Sequence, residues 1–267
     1  MAFVMNGRDD LCPSPCSNLV RRLYTLDVGN NNILPTLIKS NFPPYGRDFD
    51  GHNPTGRFSN GKLAIDFLGT NLLMRANFAS AGSGYDDSTA NLYLSLSLNK
   101  QLEYYKEFQA KVVGMVGEAN ASSIFSGGLY VISAGTSDFI QNYYISPVLQ
   151  ITYPTVNQYF NILLRNYEQF VENLYSLGAR SIGVTSLPPL GCLPGMITLF
   201  GLGFLETRKG CCGTGLFESA MLCNALSIGT CSNASNYVFW DAFHPTEATN
   251  AVLAPQIAQA GTSLVFH

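Results

Sequence analysis

The sequence predicts an α/β fold, a sheet with helices on its faces. Stretches with helical spacing alternate along the chain with short apolar runs of strand length, and that alternation is what an α/β layer structure requires. Composition agrees: 46% of the 267 residues are hydrophobic and only 12% are charged. Such a chain can bury a substantial core and is unlike a disordered or coiled-coil sequence. Its length fits one large domain or two small ones.

The first helix is predicted in "LNKQLEYYKEFQAKVVGMVG", where Leu98, Leu102, Tyr105, Phe108, Val112 and Met115 recur near a helical period. "LYVISAG", residues 129–135, is an apolar run ending in glycine, as a buried strand does. Helical spacing returns from Tyr159 to Tyr175 and stops at Gly178. "SIGVTSLPP" reads as a second buried strand closed by Pro188 and Pro189. A last helix is expected in "TEATNAVLAPQIAQAGTSL", starting after Pro245 and kinked at Pro255. Residues 28–61, dense in Gly, Asn and Pro, and residues 191–236 read as loop. In sheets of this class, sites form in loops at the C-terminal ends of strands.

Charge and cysteine content restrict the function. The chain has 15 Lys and Arg against 18 Asp and Glu and no basic run, so nucleic acid is not an expected partner. No stretch reaches the roughly 20 apolar residues of a membrane helix. The start carries Arg8, Asp9 and Asp10 where a secretion signal would be apolar. The cysteines point instead to an oxidising compartment. Of seven, Cys211, Cys212, Cys223 and Cys231 cluster without CxxC pairs or neighbouring histidines, which favours disulfides over zinc. Asn120 and Asn233 each begin an Asn-Ala-Ser glycosylation triplet.

Three histidines are available for chemistry. His267 ends the chain, and His52 sits in a polar loop where exposure is expected. His244 differs, because Asp241 precedes it by three residues in "YVFWDAFHPT". A carboxylate there can fix the tautomer of the imidazole and stabilise its protonated form, leaving the other ring nitrogen to accept a proton. By itself Asp-x-x-His also suits a merely satisfied buried histidine.

The segments "DVGNNN", "NFPPYGRDF", "PTGRFSNGKLAIDFLG", "NFASAGSGYDD", "LYVISAGTSDFIQNYY", "GARSIGVTSLPPLGCLP", "GCCGTG" and "YVFWDAFHPTEATN" together resemble plant GDSL esterase/lipases, a branch of the SGNH hydrolases. The resemblance runs from about Asp27 to the C-terminus. It implies a three-layer α/β/α, flavodoxin-like sheet and a secreted, often glycosylated enzyme. Such an enzyme hydrolyses small ester or lipid substrates by a Ser-His-Asp mechanism, without metal or cofactor. It implies Asp241 and His244 as acid and base, and Gly82 as a backbone oxyanion donor. Ser137 stands where the family places an asparagine donor.

The same comparison marks departures. In "RRLYTLDVGNNN", Arg22, Leu23 and Tyr24 stand where the family has Gly-Asp-Ser, so Tyr24 holds the nucleophile position. A phenol, with a pKa of about 10, is too weak and bulky to replace a small hydroxyl there. Ser80, Ser83 and Ser133 are other hydroxyls in the family's motifs. Sequence present in the family is absent near 69–72 and within 195–209, the latter a helix–strand unit carrying the usual partner of Cys192. The expected organisation is an atypical segment, 1–26, and a hydrolase-like domain, 27–267, whose sheet is incomplete. Two readings follow: an ester hydrolase, or a catalytically inactive pseudoenzyme, ligand-binding remnant or non-functional splice product.

Overall fold

A computed structural model describes residues 26–67, 76–185, 187, 190, 193–200 and 209–254. Tyr24, Cys192, the 69–72 junction, residues 201–208, Pro188, Pro189, Pro255 and His267 lie outside the described residues.

Two parallel strands, β1 (Leu129–Ile132) and β2 (Ser181–Val184), pair from Leu129↔Ser181 to Ile132↔Val184. They are the sheet among the described residues, matching an incomplete sheet in an α/β fold. Both are shorter than the apolar runs that predict them. The chain leaves β1 in a turn where Gly135 adopts φ +104°, a conformation glycine tolerates.

Besides a helix at 247–254, the described residues form α1 (Asp87–Tyr93), α2 (Leu98–Val116), α3 (Glu118–Gly127), α4 (Pro147–Thr152), α5 (Val156–Ser176) and α6 (Pro194–Phe200). α2 begins where the Ser97 side chain accepts the Lys100 N–H, and α5 at a reciprocal capping box between Thr155 and Gln158. Side chains alternate across β1, so Tyr130 and Ile132 share one face. That face packs with Leu98, Leu102 and Tyr105 of α2 and Phe170 and Leu174 of α5. Val131, on the opposite face, meets Leu26.

Part of the predicted stripe on α2 lies outside this core. Phe108 is only partly buried, and Met115 is 72% exposed. Beyond Val112 the chain turns at Gly117 into α3, and Ala121 and Phe125 cover Val112 instead. The last helix starts after Pro245, as expected. Pro245 forms an antiparallel bridge with Phe239, and Thr246 caps a helix running from 247 through 254. No helix among the described residues is long and apolar enough to cross a membrane.

Candidate active site

Asp241 shapes the turn that presents His244. Its Oδ1 accepts the backbone N–H groups of Phe243 and His244, each at 2.9 Å, wrapping the chain back on itself. The imidazole returns with it, so Nδ1 lies 2.8 Å from both carboxylate oxygens. The Asp-x-x-His spacing therefore has a local cause: one carboxylate holds both the backbone and the ring of the third residue. Asp241 is completely buried and His244 partly so. Among the described residues, His244 Nε2 has no hydrogen-bond partner.

A buried carboxylate needs more than one donor. Tyr45 donates its hydroxyl to Asp241 Oδ2 at 2.6 Å, and Ser219 donates to the same oxygen at 3.2 Å. The Tyr45 oxygen in turn accepts the Ala220 N–H at 2.9 Å. Burial, and then the charge of Asp241, push Tyr45 well above the ordinary phenol range, which keeps it protonated and a donor. Phe58 lies against the imidazole, ring centroids 4.7 Å apart. Sequence reasoning assigned none of these three a role. Tyr45 and Phe58 stand inside quoted motifs, while Ser219 lies in a stretch without periodicity.

The cysteine cluster builds the wall behind this turn. Cys211 bonds Cys231, and Cys212 bonds Cys223. The N–H groups of Cys211 and Cys212 donate to the carbonyls of Phe239 and Trp240, at 3.0 and 2.8 Å. Trp240 is fully buried beneath the Arg47 guanidinium, 4.8 Å from the ring centroid, and Arg47 also donates to the Cys231 carbonyl at 2.6 Å.

Across from the turn, Asp27 joins two loops. Its carboxylate accepts the N–H groups of Gly29 and Asn30 at 2.8 and 2.7 Å, and that of Ala81 at 3.0 Å. Burial raises its pKa against the pull of those three donors. Gly82, next to Ala81, adopts φ +81°. A Cβ there would fall 2.9 Å from Ser95 Oγ, so backbone conformation and Ser95 require glycine at this position. Ser137 follows β1 at the start of a π-helical turn, Asp138–Tyr143.

His244, Gly82 and Ser137 line a single cavity of about 140 Å³, with Asp27, Phe58 and Ser219. The structure thus brings Asp241, His244, Gly82 and Ser137 to one place, on the side of the sheet where β1 and β2 end. Ser80, Ser83 and Ser133 also line it, but each hydroxyl has a partner. Ser80 donates to Asn31 Oδ1 and accepts the Leu96 N–H, Ser83 donates to the Ser80 carbonyl at 2.7 Å, and Ser133 accepts from Thr185 Oγ1 at 3.1 Å. Asn120, in the first turn of α3, and Asn233, at a loop turn, are exposed. The Asn233 side chain accepts the Ser235 N–H of its own triplet at 2.9 Å.

Comparison with known proteins identifies the family. A family model described as GDSL-like Lipase/Acylhydrolase matches residues 29–201. A GDSL esterase/lipase of Arabidopsis thaliana is 46% identical over 316 aligned positions, covering 90% of this chain and 89% of that protein. A second from the same plant is 46% identical over 315, and the GDSL esterase/lipase APG is 42% identical over 315, with the same coverage. By these matches the chain belongs to the GDSL esterase/lipase family, whose members' names indicate ester hydrolysis.

Proposed function

We propose that the cavity binds small carboxylic esters or the ester heads of lipids, and that Asp241 and His244 are the acid and base of a Ser-His-Asp hydrolase site. The observation carrying this reading is the imidazole, held by Asp241 through Nδ1 and lining the cavity with its other edge unpaired. In that arrangement Nε2 accepts a proton from a nucleophile while the carboxylate stabilises the imidazolium that forms. The Gly82 N–H and the Ser137 hydroxyl are the oxyanion donors. A serine hydroxyl is shorter and more rotatable than an asparagine amide, so this hole is the weaker version.

Turnover is suppressed in this reading, because Tyr24 stands at the nucleophile position. The family match beginning at residue 29, beyond that position, supports it. Alignments of 316 positions, longer than the 267-residue chain, support the further reading that the relatives carry internal sequence this chain lacks. The two disulfides and the exposed Asn120 and Asn233 triplets support passage through an oxidising, glycosylating compartment.

Hydrolysis of p-nitrophenyl butyrate by the purified chain and by His244→Ala tests the proposal. Equal rates are expected, since background hydrolysis needs no base. Turnover that disappears in His244→Ala would reveal a working hydroxyl and make the chain an active ester hydrolase.

A further inference from the structure

The disulfide-closed segment that supplies Ser219 and Ala220 to the cavity wall turns apolar side chains outward. Met221, Leu222, Leu226 and Ile228 are 53, 59, 87 and 90% exposed, and Leu216 and Phe217 are exposed beside them in the chain. The first four stand on one tight turn, in which Ser227 donates to the Leu222 carbonyl and Asn224 to that of Met221, each at 2.8 Å. Its backbone is fixed. Cys212–Cys223 ties the turn down within its length and Cys211–Cys231 just beyond its end, and the Gly213 N–H donates to Thr230 Oγ1 at 2.9 Å. Apolar side chains are thereby held in water, where covering them is most favourable.

Charge indicates what kind of surface fits. Residues 210–237 include one charged side chain, Glu218, and it is buried, its carboxylate accepting the hydroxyl and N–H of Thr214 and the N–H of Leu216. The turn therefore presents apolar groups and no charge, which suits an uncharged layer rather than an anionic or cationic partner. Shape agrees, because Leu226 and Ile228 project almost free of neighbours. A protrusion of this kind needs a matching socket in a folded partner, whereas a fluid apolar layer closes around it. Position gives the third argument: Met221 and Leu222 directly follow Ala220, which lines the cavity. We infer that the turn at 221–228 inserts into an uncharged lipid surface and holds the cavity beside it. The use of that docking, delivery of lipid ester heads, rests on the ester-binding reading of the cavity.

Flotation of the full chain with vesicles of ether-linked phosphatidylcholine tests it, because these zwitterionic lipids hold no carboxylic ester for the cavity to bind. The chain should float with them at low and at high salt alike, since apolar insertion is not screened. Leu226→Ser combined with Ile228→Ser should weaken partitioning about a hundredfold, each lost side chain being worth about tenfold or more when buried. Leu226→Phe combined with Ile228→Phe, which keeps the apolar area, should float as the parent does. Both positions lie outside the core, so all three chains should share one circular dichroism spectrum. No flotation of the parent, flotation that survives the two serine substitutions, or flotation with anionic vesicles alone that salt abolishes would overturn the docking surface. A parent that stays off vesicles but forms a dimer, dissociated by the same two substitutions, would assign the turn to a second copy instead. Calorimetry with soluble methyl butyrate reads the cavity separately: no binding there, beside serine-sensitive flotation, would overturn the ester reading and leave the docking surface standing.

Discussion

Tyr45 is where a single atom matters most to the site. Its hydroxyl gives one hydrogen bond to a buried carboxylate and receives another from Ala220, so Tyr45→Phe removes both and fills the same volume. A hydrogen bond to a charged group contributes about 1.5–3 kcal/mol. Urea unfolding of Tyr45→Phe should show a loss of that size, and a variant within about 0.5 kcal/mol of the parent would mean that the bond is not formed. Ser219→Ala should cost less, its contact being longer and less buried. Legibility at this scale follows sequence distance. Asp241 and His244 were readable because three residues of spacing carry the entire turn, and Gly82 and Ser137 were readable through the family's motifs. Tyr45 meets Asp241 across 196 positions, and no local pattern encodes such a contact.

Among the elements, α1 depends on a residue that lies beyond β1. Asp138, fully buried, accepts the N–H groups of Tyr85 and Asp86 and the hydroxyl of Thr89, tying the start of α1 to the end of the strand. Burial pushes its carboxyl from 3.8 up to about 7, although those hydrogen bonds favour the charged form. The folded chain therefore keeps a proton that the unfolded chain releases near pH 3.8. Its contribution to stability is complete below that pH and is lost as pH rises through about 7. Urea unfolding across that window should show the parent losing stability relative to Asp138→Asn, which cannot titrate; parallel pH profiles would contradict it. The long helices α2 and α5 were legible because 19 and 21 residues repeat their apolar period several times. Helices α1, α4 and α6, of 6 or 7 residues, offer fewer than two complete repeats, and α3 owes its start to the turn at Gly117. The strands were legible as apolar runs but not in length, because pairing stops at Ile132 and Val184 while the predicted runs continue beyond them.

For the molecule as a whole, the α/β class and the gathering of loops at one end of the sheet were legible, since both follow from element order. The number of strands was not, because pairing joins distant parts of the chain and leaves no local pattern. The proposed reading of Tyr24 carries a prediction at this scale. Tyr24→Ser alone should leave p-nitrophenyl butyrate turnover at the His244→Ala background. A hydroxyl must come about 3 Å from the imidazole, and an error of about 1 Å costs about a hundredfold. The adjacent Arg21 and Arg22 suit a buried central strand poorly. Robust, His244-dependent turnover from that one substitution would show that the nucleophile position is already correctly placed. The long span between Tyr45 and Asp241 has a consequence in time as well as in space. Chains grow at roughly 5–20 residues per second, so the phenol leaves the ribosome about 10–40 s before the carboxylate it will hold. Through that interval a growing chain has the cavity's first loops and neither Asp241 nor His244, and whatever chemistry the finished site performs is withheld from the nascent one.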